Sequence, residues 1–214
     1  ATGGSGSDTL TNVENLTGSA FADTLTGNAL ANVLNGGAGN DTLDGASGFD
    51  TASYSGQAGA VSVDLTIGSA TSASSGTDTL ISIENVIGSL ANDTLIGNAA
   101  DNTFNGSAGA DSMTGGDGND VYVVDQAGDV VTEVGTGSDT VQTFITYTLG
   151  ANLDKLTIVT ANNVNGTGNA LNNQIVSGAG NNVMDGAGGT DTISYSTAAS
   201  AVSVRRTTSR AGMP

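Results

Sequence analysis

A chain of 214 residues with 33 Gly, one Pro and an aromatic content of 4% lacks the large side chains of a conventional globular core, so thin layers of stacked aliphatics are expected instead. Twenty-one acidic against four basic residues, a net charge of −17, exclude nucleic acid and an anionic membrane surface as natural partners and favour cations. With neither Cys nor His, thiolate and imidazole zinc sites, cysteine nucleophiles and serine–histidine triads are excluded, and only oxygen donors remain for a metal.

Taken in chain order, Ala1 has no initiator Met or signal-peptide pattern and reads as the start of a fragment or a processed product. A nine-residue phrase beginning at Gly3 follows the pattern G-G-x-G-x-D-x-U-x, where U is a large apolar residue, and puts its acid at Asp8. Frames then begin at 18, 27, 36 and 45, with Asp23, Asn32, Asp41 and Asp50 in sixth position and Gly37, Gly39 and Gly48 in the turns. Each phrase is a tight turn closed by glycines, an anionic or amide oxygen, and a short strand. Leu25, Leu34, Leu43 and Ala52, two places after the sixth position, are expected to point inward.

Residues 61–67 alternate with period two as a half-buried strand, and the small-residue stretch 68–76 reads as a loop. An isolated frame from 73 supplies Asp78. The second tract, with frames at 88, 97, 106 and 115, supplies Asp93, Asn102, Asp111 and Asp120, the turn glycines Gly109, Gly116 and Gly118, and the inward Leu95, Phe104, Met113 and Tyr122. Residues 121–124 and 130–134, around Gly128 and Asp129, read as a hairpin, and another isolated frame gives Asp139. Strands are expected over 144–149 and 156–160, and no amphipathic helix is. A third tract, with frames at 168, 177 and 186, carries Asn173, Asn182 and Asp191; only the last keeps the acid, so its turns could be held by asparagine hydrogen bonds alone. The pattern stops after Val204, and the tail with Arg205, Arg206 and Arg210 reads as a truncated or natural terminus without assigned function.

Residues 3–53 can be laid over 73–123, and 27–55 over 168–196. The chain therefore divides into blocks 1–72 and 73–143, a degenerate block 144–204 and an unstructured basic tail 205–214. Two phrases make one coil, so turns two phrases apart stack at about the 4.8 Å of neighbouring strands. That spacing brings Asp23 to Asp41, Asn32 to Asp50, Asp93 to Asp111, Asn102 to Asp120 and Asn173 to Asp191. Such a column of carboxylates repels itself unless a cation lies between them, and calcium, with six to eight oxygens at about 2.3–2.6 Å, meets that need.

These phrases resemble the calcium-binding nonapeptide of RTX, or hemolysin-type, repeat regions, with 36–44 and 115–123 in full agreement. The resemblance covers most of residues 3–194. It implies an all-β, right-handed parallel β-roll or β-helix with intervening antiparallel strands or hairpins. It also implies several Ca2+ ions held between turns by the sixth-position residues and turn carbonyls, and type I export from a bacterium to the outside or the cell surface. The neutral Asn at 32, 102, 173 and 182 would be weaker ligands, and Phe21 stands where its frame should have glycine.

Other readings fit less well. A threonine rank (Thr9, Thr24, Thr42, Thr51, Thr79, Thr94) suggests an ice-binding face, but its ninth-position neighbours vary too much to make one. The acid pairs suggest a glycosidase, yet no Trp accompanies them, and Lys155 beside Asp154 has no nucleophile motif near it. The expectation is a non-enzymatic calcium-binding module that folds on binding the metal outside the cell. A self-associating adhesin or matrix spacer, and the repeat tail of a secreted hydrolase, stand as alternatives.

Overall fold

A computed structural model describes residues 11–198 together with 201 and 203, and within them the chain is all-β, without a helix. Asp8 and the basic tail 205–214 lie outside the described residues. The first tract forms β1 (Asn15–Thr17), β2 (Thr24–Thr26), β3 (Val33–Asn35), β4 (Thr42–Asp44) and β5 (Thr51–Ser53). The segment after it forms β6 (Val61–Asp64), β7 (Ser69–Ser72) and β8 (Gly76–Ile81). The second tract gives β9 (Asn85–Ile87), β10 (Thr94–Ile96), β11 (Thr103–Asn105), β12 (Ser112–Thr114), β13 (Val121–Val124) and β14 (Val130–Thr132). Beyond it lie β15 (Thr140–Thr143), β16 (Tyr147–Thr148), β17 (Lys155–Ile158), β18 (Gly166–Thr167), β19 (Gln174–Val176), β20 (Met184–Asp185) and β21 (Thr192–Ser194).

Most strands are three residues long because glycine-rich turns interrupt every phrase, and the middle residue of each triplet faces the core. The odd-numbered strands other than β7 stack in parallel into a ten-stranded sheet running β1-β3-β5-β9-β11-β13-β15-β17-β19-β21. Its register places Leu16, Leu34, Ala52, Val86, Phe104, Tyr122, Val141, Leu156, Ile175 and Ile193 in one column. The middle of that column, from Leu34 to Ile175, is buried. Phe104 and Tyr122 stack with ring centroids 6.0 Å apart. The opposite wall is an eight-stranded sheet, β14-β12-β10-β6-β7-β8-β4-β2, followed by the three-stranded β16-β18-β20. The result is the stacked-coil β-solenoid expected of the repeats, consistent with a β-roll.

Three expectations need correction. The stretch 68–76 is not merely a loop, because Ser69–Ser72 forms β7, antiparallel to both β6 and β8. Its small side chains hid the strand, whereas Ala70, opposite Val63, is buried in the core. Residues 121–134 are not a hairpin either. Both edges of β13 are taken by β11 and β15, while β14 crosses to the other wall and pairs in parallel with β12. This crossing places Val131 on the core beside Met113, an apolar contact a hairpin would forgo. Of the two further strands expected, the first shrinks to Tyr147–Thr148 and the second begins at Lys155.

Candidate metal centre

In the repeat coils the residue two places before the inward apolar side chain turns its own side chain back into the loop, and this position organises both edges of the solenoid. Its carboxylate Oδ1 accepts the backbone N–H of the corresponding residue one coil earlier. On the edge leading into the eight-stranded wall, Asp23 N–H donates to Asp41 (2.9 Å), Asp41 to Asp78 (2.9 Å), Asp93 to Asp111 (2.8 Å) and Asp111 to Asp129 (3.2 Å). On the other edge Asn32 donates to Asp50 (2.7 Å), Asn102 to Asp120 (2.8 Å), Asp120 to Asp139 (2.8 Å) and Asn173 to Asp191 (2.9 Å). All five pairs expected from the coil spacing are thus adjacent, and the isolated-frame acids Asp78 and Asp139 join them.

The second carboxylate oxygen is the chemically telling one. Oδ2 of Asp41, Asp50, Asp111 and Asp120 is buried without a hydrogen-bond partner. Each lies over the first glycine of its own turn, where a Cβ built on Gly36, Gly45, Gly106 or Gly115 would overlap it. The six turn glycines singled out in the sequence all adopt positive φ, from 91° at Gly37 to 144° at Gly48. At five of them the nearest atom of the preceding coil is a carbonyl oxygen: Ser19 O faces Gly37, Leu30 O Gly48, Ala91 O Gly109, Asn98 O Gly116 and Ala100 O Gly118. Free carboxylate oxygens between layers of turn carbonyls, with no nitrogen or sulfur donor present, fit a hard cation such as calcium.

Where asparagine replaces aspartate, its amide does something a carboxylate cannot. Asn102 Nδ2 donates to Glu84 O (3.0 Å), Asn173 Nδ2 to Leu153 O (3.0 Å), and Asn182 Nδ2 to Val164 O (2.6 Å). A neutral N–H here meets carbonyl oxygen that would otherwise face a cation, which is the hydrogen bond by which asparagine alone can hold such a turn. Asn182 accepts no N–H from the preceding coil; it accepts instead from Ser177 Oγ (3.1 Å). Asn173→Asp should therefore make the third tract's stability depend on calcium, lowering it in chelator by about 1–3 kcal/mol through loss of the amide donor and a buried charge. Denaturant unfolding with and without calcium would measure this, and an equal midpoint for both proteins in chelator would refute it.

Three members of the ladder escaped the sequence reading. Asp50 N–H donates to Glu84 Oε2 (2.9 Å), Asp111 N–H to Asp129, and Asp139 N–H to Asp154 Oδ2 (3.0 Å). Their turns lack the full set of glycines, but the signal was there: Glu84-Asn85-Val86, Asp129-Val130-Val131 and Asp154-Lys155-Leu156 each set an acid two residues before an apolar one. Glu133, buried beside Asp120 and Asp139, was also missed.

Crowded carboxylates raise one another's proton affinity. Burial chiefly, then Asp93, Asp129 and Asp125, pushes Asp111 up to about 6 against the N–H of Asp93; burial, then Glu133, Asp139 and Asp101, pushes Asp120 up to about 7 against the N–H of Asn102. These folded values exceed that of an unfolded aspartate, so protonation stabilises the metal-free fold as pH drops below about 7, and ionisation removes that stability as pH rises through the same range. In chelator, circular dichroism should show more β-structure near pH 5 than near pH 8, whereas with calcium present protons compete for the same oxygens and weaken binding at the lower pH.

The RTX calcium-binding nonapeptide repeat, a family model of 4 copies, matches residues 17–52, 87–122 and 167–196. No curated protein matches the chain. The matched segments coincide with the three tracts whose turns carry the ladder, and these segments are RTX calcium-binding nonapeptide repeats.

Proposed function

We propose that this chain is a calcium-dependent structural module of a type I secreted, RTX-like bacterial protein, and that it folds on meeting calcium outside the cell. The observation that carries the reading is the set of four buried, unpartnered carboxylate oxygens at Asp41, Asp50, Asp111 and Asp120. Their Oδ1 partners are spent on the ladder, so a metal cation can neutralise them at neutral pH and above without disturbing it. Extracellular calcium modules bind at about 10⁻⁴–10⁻³ M, which leaves such sites empty in a cytosol and filled outside. Because the turns assemble only when coils stack, binding free energy becomes folding free energy. The family match and the repeat phrases themselves support export, since repeats of this kind are typical of secreted bacterial proteins.

Isothermal titration calorimetry of the full chain tests the reading. Several calcium ions per chain should bind at up to millimolar concentration, with a steep transition as coils order on one another. Heats no larger than dilution would overturn it.

A further inference from the structure

The loop between β14 and β15 is one residue longer than the turn stacked against it. Thr114 is in register with Thr132, but Val121 with Thr140, so residues 115–120 of one coil face 133–139 of the next. Glu133 thereby occupies the place the repeat reserves for its first glycine. In the regular turn beneath it that place admits no side chain, because a Cβ on Gly115 would overlap both Asp120 Oδ2 and the Tyr122 hydroxyl. The extra residue opens the later loop enough to hold one.

The Glu133 side chain stays inside, only 5% exposed. Its Oε1 accepts the N–H groups of Val134 (2.8 Å) and Gly135 (2.9 Å), and its Oε2 accepts the Tyr122 hydroxyl (2.6 Å). Ligand oxygens of Glu133, Asp120 and Asp139 all lie within 4.8 Å of one another, and all three residues are buried. Asp120 is 0% exposed and its Oδ2 has no donor at all. Lys155, the only basic side chain among the described residues, acts on Asp139 but leaves most of this charge unbalanced.

We propose that Asp120, Glu133 and Asp139 form a metal site unlike the regular turns, in which Glu133 is a third carboxylate ligand and Tyr122 holds it in place. Its ligand is a calcium-sized hard cation, and three carboxylates around one ion favour a trivalent lanthanide over a divalent ion, since attraction scales with the product of the charges. The proposal rests on the reading of these turns as cation sites. It adds a residue the nonapeptide does not contain and a charge preference the regular turns lack.

Terbium tests it in the full chain kept folded in millimolar calcium. The chain has no Trp, so terbium emission excited through the protein reports an ion beside a tyrosine. The first equivalent of terbium should light up, and Glu133→Gln should weaken its binding about tenfold or more. Tyr122→Phe, which removes no ligand charge, should darken the first equivalent while dialysis still finds the ion bound. An unchanged first phase in Glu133→Gln, or undiminished first-phase emission in Tyr122→Phe, overturns the site. Should Glu133→Gln fail to show β-structure in calcium, Tyr122→Phe decides alone. Chelator sensitivity of the wild-type fold is read separately by circular dichroism. If that sensitivity is present and the terbium result is flat, only this site falls; if it is absent, the calcium-folding reading falls instead.

Discussion

Stripping calcium from the full chain should abolish most of its β-structure and expand it, with the radius of gyration in X-ray scattering moving towards the roughly 50 Å of an unfolded chain of this length. The reason is the thinness of what else holds the coils. Each coil buries little beyond its inward side chains, such as Leu34 with Leu43 or Phe104 with Met113, while its edges hold carboxylates pressed against one another. A low-hydrophobicity chain carrying a net −17 cannot offset the entropy of ordering so much glycine-rich backbone unless those charges are neutralised. Readdition of calcium should restore the compact form, and superimposable scattering curves in chelator and calcium would count decisively against the idea.

Asp41 offers the second large effect, because its two oxygens do different things. Oδ1 accepts the Asp23 N–H, and Oδ2 is the buried oxygen left for a cation. Asp41→Asn keeps the acceptor and deletes the charge, as the chain itself does at Asn32 and Asn102. Asp41→Ala deletes both and strands the Asp23 N–H over a gap beside Gly36. In calcium, Asp41→Ala should therefore be less stable than Asp41→Asn by about 1–2 kcal/mol, the cost of an unpaired, partly buried donor. In chelator, Asp41→Asn should match or exceed the wild type, since it removes a charge that nothing there balances. Denaturant midpoints in both conditions read the two contributions apart, and identical behaviour of the two variants would show that the ladder hydrogen bond carries no stability.

The regular tracts were legible because the phrase is local: Gly36 to Asp44 carries its own turn glycines, its own acid and its own inward Leu43, and needs no distant residue to say what it is. The same locality misled at 121–134, where two valine-rich segments around Gly128 satisfy the hairpin pattern as well as they satisfy a coil. Only the free edges of β11, β12 and β15 made the coil win. Glu84 and Asp154 were invisible to a glycine-based frame, because they enter the ladder through strand register alone. β7 was invisible because serine and alanine read as loop until Val63 and the facing edges of β6 and β8 needed an antiparallel partner.

Composition and the nonapeptide phrase by themselves determined the coil: an all-β chain with apolar residues inward, glycine turns outward and an acid or amide at each turn. The physics of a single phrase is complete within nine residues. What the tertiary structure decided is which coils are neighbours. Asp41 stacks on Asp78 and Asp50 on Glu84 across a β6–β8 insertion of irregular length, and Glu133 enters a glycine's place because one loop is a residue longer. Those choices follow from closing the backbone ladders and the apolar column together, a condition that only the assembled stack imposes.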